Sequence, residues 1–350
     1  MNFPQVVHLV DDNTAGGVMR MLDYLVESSG LDSHLRQSVR KVNRHALSHG
    51  TIEADIIVSH LTLSWRGLPA LVTLRAMKPT ARIVHIEHSY TRAFTVLNVP
   101  HKKRFFAMLR VAYSLFDHVV AVSRDQADWL SERALTAVER LTVINPRVGL
   151  EAFSNVSPAN SRIRVIGAIG RLVPQKGFDV LIDAFRACSH KDARLLIFGE
   201  GRERGHLEAL AAGDKRIEFR GHQQDPTAPY REVDIVAIPS RWEAYGLVAS
   251  EARAAGRPAL VARVDGLRDQ ISGSVIAQDG NDVEAWTNTL ERILTDGVGE
   301  FSNLERAIDV SDAAYVRAWM NVMGRNTGGI RRPTLETVSR QARATRLSRA

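Results

Sequence analysis

Two glutamates eight positions apart, Glu243 and Glu251, fall in the run Pro239-Ser-Arg-Trp-Glu243-Ala-Tyr245-Gly246-Leu247-Val-Ala-Ser-Glu251. The stretch before it, Asp234-Ile-Val-Ala-Ile-Pro239, reads as a short buried strand, and 247–255 reads as a helix. Glu243 is therefore expected on the loop at the carboxyl end of a strand, and Glu251 about one and a half turns into the helix that follows. The unpaired backbone N–H groups of Gly246 and Leu247, with the positive end of the helix dipole, form a seat for an anion. Carboxylates accept hydrogen bonds from hydroxyls. An anion seat beside two carboxylates suits a sugar carried on a nucleoside diphosphate.

Other loops supply matching chemistry. Ile166-Gly-Ala-Ile-Gly170-Arg171-Leu-Val-Pro-Gln-Lys176-Gly177-Phe178 reads as a strand, a cationic loop and a helix start. Arg171 can grip a phosphate bidentately, and Lys176 can act as a point charge on a diphosphate. Near the N-terminus, Leu9-Val-Asp-Asp-Asn-Thr-Ala-Gly16-Gly17-Val-Met-Arg20 is a strand, a glycine turn and a helix. Gly16 and Gly17 let backbone N–H groups come close to a ligand oxygen. His85-Ile-Glu87-His88 closes a further strand at 81–86. Residues three apart on a strand face opposite sides, which argues against a metal shared by His85 and His88. His88 then sits past the strand end, within reach of a sugar hydroxyl or a backbone oxygen, while His85 serves equally well as a structural histidine. The chain has no Asp-x-Asp pair, so no metal seat and no metal cofactor are expected. Phe198-Gly199-Glu-Gly201-Arg-Glu-Arg-Gly205 imitates a dinucleotide fingerprint, but its third glycine is wrongly spaced, which argues against nicotinamide or flavin.

These loops need strands to hold them. Apolar runs at 6–10, 56–58, 83–86, 119–122 and 141–144, then at 165–169, 195–198, 217–219, 235–238 and 259–261, alternate with helical patterns. Near-continuous apolar strands between amphipathic helices predict parallel sheets covered on both faces. The expected fold class is α/β, with two doubly wound domains facing a central cleft. Ligands in such sheets bind outside the carboxyl ends of the strands. A polar linker with a proline at 153–162 divides residues 1–155 from 156–325, and a last helix near 311–325 is expected to pack back on the first domain.

The 350 residues suit two cores, and 45% hydrophobic residues describe a globular chain. No apolar run approaches the roughly 20 residues that span a bilayer, and the N-terminus reads as a first strand and not a signal peptide. The single Cys188 fits a reducing cytosol. Of the net charge of +7, residues 326–350 and Arg325 hold seven arginines against Glu336, a balance of +6. That tail is either a solvated end or a segment attracted to anionic lipid; nucleic acid is not expected, because interleaved aromatics are missing. His101-Lys-Lys-Arg104-Phe-Phe-Ala-Met-Leu-Arg110 reads either as a core-facing helix with a solvated side or as a membrane contact.

Taken together, the motifs resemble the retaining nucleotide-sugar glycosyltransferases of family four, which have the two-domain B-type (GT-B) fold. Gly16-Gly17-Val-Met-Arg20, Gly170-Arg171-Leu, Gln175-Lys176-Gly177, Phe198-Gly199-Glu-Gly201, Phe219-Arg-Gly221 and the Pro239–Glu251 run carry the likeness, which extends to about residue 325. The resemblance implies that Arg171 and Lys176 bind the donor diphosphate and that Glu251 holds the ribose. It implies that Glu243 orients the transferred sugar, with His88 near it. Tyr245, Gly246 and Leu247 would contact phosphate or sugar, Gly16 and Gly17 would close over the donor, and Arg220, Gly221 and His222 would flank the base. Two stretches depart from the family pattern: Asn145-Pro146-Arg147-Val148-Gly149 lacks the usual acid and turns an arginine toward the cleft, and Asp265-Gly266 stands where two glycines are usual.

The implied reaction is same-face displacement at the anomeric carbon, the leaving phosphate oxygen taking the acceptor's proton. Neither glutamate is an evident nucleophile of the kind retaining glycosidases use. The acceptor is expected to be a saccharide or a lipid-linked molecule of bacterial-type surface polysaccharide, lipopolysaccharide or glycolipid synthesis. It would be met at the inner face of the membrane or in the cytoplasm. A nucleotide-sugar epimerase of the same fold and a non-catalytic nucleotide-sugar binding protein are the rival readings. The sugar, the base and the oligomeric state are not legible in the residues.

Overall fold

The computed structural model describes residues 3–12, 16–157, 162–297 and 312–324. The arginine-rich tail at 326–350 lies outside the described residues. Two six-stranded sheets organise the chain. The first holds β1 (Gln5–Val10), β2 (Arg36–Lys41), β3 (Ile56–Ser59), β4 (Arg82–Glu87), β5 (His118–Ala121) and β6 (Leu141–Val143), in the order β2-β1-β3-β4-β5-β6. The second holds β7 (Val165–Ile169), β8 (Arg194–Phe198), β9 (Ile217–Gly221), β10 (Ile235–Ile238), β11 (Ala259–Ala262) and β12 (Val275–Gln278), in the order β12-β11-β10-β7-β8-β9. Every pairing is parallel. This is the expected pair of doubly wound α/β lobes.

Ten of the strands lie on the apolar runs read from the sequence; β2 and β12 do not. In β2, Arg-Gln-Ser-Val-Arg-Lys, five residues are exposed, and the strand is held by six-residue backbone pairing to β1. An edge strand of that kind carries no apolar periodicity to betray it.

Strand order reverses at β1, between β2 and β3, and at β7, between β10 and β8. Crevices open at such reversals, outside the carboxyl ends of the strands. The glycine turn follows β1, the Arg171–Lys176 loop follows β7, and the Glu243 loop follows β10. The topology therefore gathers the chemistry-bearing loops along one line between the lobes.

Apolar side chains fill both faces of each sheet, with Trp129 and Tyr113 buried in the first lobe and Trp286 and Phe185 in the second. The linker expected at 153–162 begins differently. Phe153 and Val156 pack with Tyr230, Val236 and Ala249, so the chain has joined the second-lobe core by then. Those two apolar residues, three apart among serines and asparagines, are what the polar reading passed over.

The helix Asp312–Val322 returns to the first lobe, where Tyr315, Trp319 and Met320 join Met21, Leu25 and Leu31. Arg147 holds it there. Its guanidinium lies 2.7 Å from Asp312 and 4.9 Å from the centre of the Tyr315 ring. Arg147 was expected to face the cleft; it clamps this helix instead, because a carboxylate and an aromatic face together outbid solvent for a guanidinium.

The helix Lys102–Ser114 buries Met108, Leu109, Ala112 and Tyr113 and leaves Lys102, Lys103 and Arg104 in solvent, which makes it a core-facing helix with a solvated side. Among the described residues, no helix is long and apolar enough to cross a membrane.

Candidate active site

The second-lobe loops are built by close backbone approaches. Gly199 and Gly201 lie against the loop after β7: a Cβ on Gly199 would stand 1.9 Å from the Gly170 carbonyl oxygen, and one on Gly201 would stand 2.3 Å from that of Leu172. Their glycines serve this packing, which accounts for a fingerprint with the wrong spacing. Gly177 adopts φ +65, and a Cβ there would lie 2.1 Å from the Pro239 carbonyl oxygen. The loop after β7 thereby lies against the loop after β10.

Arg241 laces the two loops. Its backbone N–H donates to Gln175 at 2.8 Å, and its guanidinium reaches both Asp179 oxygens at 2.8 and 2.6 Å. Gln175 donates to the Trp242 carbonyl at 3.0 Å. The lacing delivers Lys176 to Glu243, with Nζ 2.5 Å from Oε2 and Ser240 Oγ 3.3 Å from the same oxygen. The lysine and glutamate side chains are only 16% and 13% exposed, so the pair is shielded yet open on one side.

Gly246, at φ +95, opens the helix Leu247–Ala254. The backbone N–H groups of Gly246 and Leu247 make no hydrogen bond among the described residues, as an anion seat requires. Glu251, further along, is buried. Its Oε1 accepts from Arg20 of the first lobe at 2.7 Å and its Oε2 from the Tyr230 hydroxyl at 2.7 Å. Burial, then the adjoining carboxylate, push the Tyr230 hydroxyl well above its ordinary pKa, so it stays a donor. Two bonds leave about two of the carboxylate's four acceptor positions for a ligand.

The first lobe completes the wall. Gly17 lies so near the helix start that an added Cβ would stand 3.2 Å from Leu247 Cδ1. Tyr245 is buried in a cluster with Val120, Val122 and Ile144 of the first lobe. Asp265, with φ +40, sends its carboxylate across the cleft. Oδ2 accepts from Thr91 Oγ1 at 2.6 Å and from the Glu243 N–H at 3.2 Å, and Oδ1 accepts from the Ala93 N–H at 2.9 Å. Burial raises the Asp265 pKa against these bonds. The N–H groups of Arg124 and Asp125 donate to Asp269 four residues on, and Arg268 pairs with Asp125 at 2.9 Å.

His88 sits past β4 and is bonded through Nε2 to His60 Nδ1 at 3.0 Å. His85 is on the other face, 3.3 Å from Ser59 Oγ and 3.4 Å from Glu87, as strand alternation predicts. Among the described residues, no group of three or more His, Cys, Asp or Glu is placed to hold a metal.

The structure thus joins Lys176 to Glu243 and sets Glu251, Gly246, Leu247, Tyr245, Gly16 and Gly17 along the same interlobe line. Arg171 is exposed and has no ion pair or hydrogen bond from its side chain among the described residues. Arg220 is spent on Glu232 and Glu218, while His222 is exposed beyond Gly221. Arg20, Tyr230 and Asp265, which hold Glu251 and Glu243 at the interlobe contact, were not singled out for it in the sequence, nor were His8 and His60, which lead to His88. Arg20 closed a motif that was read for its glycines, and Asp265 was read only as a departure from the family pattern.

A cleft between two such lobes, with cations and a free helix start on one side and a glycine turn on the other, defines a two-domain glycosyltransferase of the B type. Residues 23–151 match the model described as Glycosyltransferase Family 4, and residues 163–296 match that of Glycosyl transferases group 1. The chain belongs to glycosyltransferase family 4. It is 35% identical over 214 residues to the D-inositol 3-phosphate glycosyltransferase of Salinispora tropica, covering 51% of this chain and 44% of that protein. The chain spans about half the length of the curated relatives it matches. In fold it is similar to Anabaena Alr3699/HepE in complex with UDP and glucose (TM-score 0.70, 17% identity, 91% of this chain and 99% of that one). It is also similar to sucrose-phosphate synthase from Thermosynechococcus elongatus (TM-score 0.69, 16% identity, 98% and 100%).

Proposed function

We propose that the chain moves a sugar from a nucleoside-diphosphate sugar to an acceptor hydroxyl with retained anomeric configuration. The observation that carries this is the Lys176–Glu243 pair lying beside the free N–H groups of Gly246 and Leu247. Arg171, Lys176 and the helix start meet the diphosphate, Glu243 orients the sugar, and Glu251 meets the ribose with the acceptor positions that Arg20 and Tyr230 leave open. The bond from the anomeric carbon to the phosphate oxygen breaks, and one to the acceptor oxygen forms on the same face. The acceptor's proton passes to the departing phosphate. Fixed cations stabilise the charge growing there without reorganising. Because those side chains supply the positive charge, turnover should persist in EDTA.

For the acceptor, the relatives named for inositol 3-phosphate favour a phosphorylated polyol over a lipid-linked saccharide of surface polysaccharide synthesis. A contact with anionic lipid would use the exposed Lys102, Lys103 and Arg104, the last lying over the exposed Trp65 ring. Liposome flotation of a variant with these three cations reversed tests that contact. The donor reading is tested by thermal shift against nucleoside diphosphates and nucleotide sugars, followed by acceptor-dependent release of nucleoside diphosphate. Failure of every nucleotide sugar to stabilise the protein would end the proposal.

A further inference from the structure

Three histidines cross the first-lobe sheet on one face. His8 of β1 is opposite Val58 of β3, and Val58 is opposite Val84 of β4. His60 lies two residues beyond Val58 and His88 four beyond Val84, and even offsets keep the three side chains on the same face. Each step to the next strand also climbs two residues, about 6.6 Å, toward the carboxyl edge. The series starts inside the lobe and ends at the cleft. Its rings touch in order, His8 Nδ1 to His60 Nε2 at 3.0 Å and His60 Nδ1 to His88 Nε2 at 3.0 Å. His8 Nε2 lies 3.1 Å from Oε1 of Gln37, on the edge strand β2.

Gln37 sets the direction of this chain. Its Nε2 donates to the carbonyl oxygens of Leu25 at 3.0 Å and Val26 at 3.5 Å, so the end facing His8 is an oxygen, which can only accept. His8 therefore carries its proton on Nε2 and offers the lone pair of Nδ1. A neutral imidazole has one donor and one acceptor, so His60 donates from Nε2 and accepts at Nδ1, and His88 donates from Nε2. Burial keeps the rings neutral: it lowers the pKa of His8 and of His88 to about 4, and that of His60 well below its ordinary value. His88 is left with an unprotonated Nδ1 that has no hydrogen-bond partner among the described residues, on a side chain that is only partly buried.

The geometry points to Gln37, His8 and His60 as positioning residues that lock His88 in its Nε2–H tautomer, leaving the Nδ1 lone pair to accept a hydroxyl in the cleft. Resting on the function proposed above, that hydroxyl belongs to the sugar or the acceptor. The chain orients and does not carry a proton, because the amide oxygen at its far end takes none up. A lone pair fixed at this place favours a ligand hydroxyl and repels a carbonyl or phosphate oxygen.

Nitrogen NMR of the full chain labelled with 15N-histidine, near neutral pH, reads each tautomer directly. His8, His60 and His88 are all expected as Nε2–H with a bare Nδ1. In Gln37→Leu the anchor is gone; His88 should become a mixture of tautomers, and kcat/KM should fall about fivefold, the equivalent of roughly one neutral hydrogen bond. An Nδ1–H or cationic His88 in the unaltered protein overturns the inference, and so does an unchanged His88 spectrum in Gln37→Leu. The first measurement needs neither turnover nor a folded variant. Correct tautomers with no response to any nucleotide sugar would support the lock and defeat only the sugar reading.

Discussion

Replacing Lys176 by Met and Glu243 by Gln, singly and together, separates what the pair does for the fold from what it does for the reaction. With Lys176→Met, Glu243 keeps a largely shielded carboxylate whose remaining side-chain donor is Ser240 Oγ at 3.3 Å. Breaking a buried pair costs about 3–5 kcal/mol, because the orphaned charge stays desolvated. Here both side chains retain some exposure, so about 2 kcal/mol is expected for each single change. Neutralising both partners removes the orphan, and the double variant should lose only about 1 kcal/mol, a coupling of about 3 kcal/mol. Turnover should behave differently. On the proposed function Lys176 stabilises charge on the leaving phosphate, and losing one such donor costs about 2.7–4 kcal/mol in barrier, or roughly 10²–10³ in kcat. The double variant should therefore be nearly as stable as the parent in thermal melts and still slow in a nucleoside-diphosphate release assay. If it recovers both stability and turnover, Lys176 merely balances Glu243, and the catalytic reading is wrong.

Arg171→Ala removes an exposed, unpartnered side chain, so stability should move by less than about 0.5 kcal/mol while turnover drops by roughly tenfold or more; near-normal rates would refute its assignment to the diphosphate. Asp265→Gly relieves a positive φ worth about 1–2 kcal/mol but deletes the acceptor for Thr91, Ala93 and Glu243; the lobes should part, read as a larger radius of gyration in solution scattering, and an unchanged radius would count against the latch. His8 titrates at about 4 in the fold against 6.5 when free, so the unfolded chain binds more protons between those values. Its stabilisation is complete above pH 6.5 and is lost as the pH falls toward 4, by up to about 3 kcal/mol. Thermal midpoints should decline through that window and decline less in His8→Met, whereas a flat profile in the parent would contradict the buried neutral ring.

The parallel sheets were legible because buried strands write themselves as apolar runs, and the loops that meet between the lobes because they follow the carboxyl ends of those strands. Lys176 and Glu243 lie 67 positions apart, yet each could be placed by its own strand. What escaped was anything fixed by register or by contact between lobes. The histidine series depends on which residue of β1 faces which of β3 and β4, a relation that no local pattern encodes. Arg20 meets Glu251 across 231 positions, and Asp265 meets Thr91 across 174. Arg147 was misread for the same reason, since its partner Asp312 arrives from the end of the chain.

Three interlobe carboxylates share a polarity that bears on how the site works, although Arg268 of the second lobe donates the opposite way, to Asp125. Glu251, Asp265 and Asp269 of the second lobe each accept hydrogen bonds from first-lobe donors: the Arg20 guanidinium, Thr91 with the Ala93 N–H, and the N–H groups of Arg124 and Asp125. The last two sets sit at helix N-termini, where the dipole favours a carboxylate. Oδ2 of Asp265 also accepts from the Glu243 N–H, so the oxygen that holds the first lobe fixes the backbone of the residue paired to Lys176. Opening the lobes would pull on that backbone, and on the proposed function a sugar placed against Glu243 would push back through the same atoms. Lobe position and the pose of Glu243 are thereby coupled, and a substitution at Asp265 is expected to alter donor affinity even though its carboxylate is committed to protein donors.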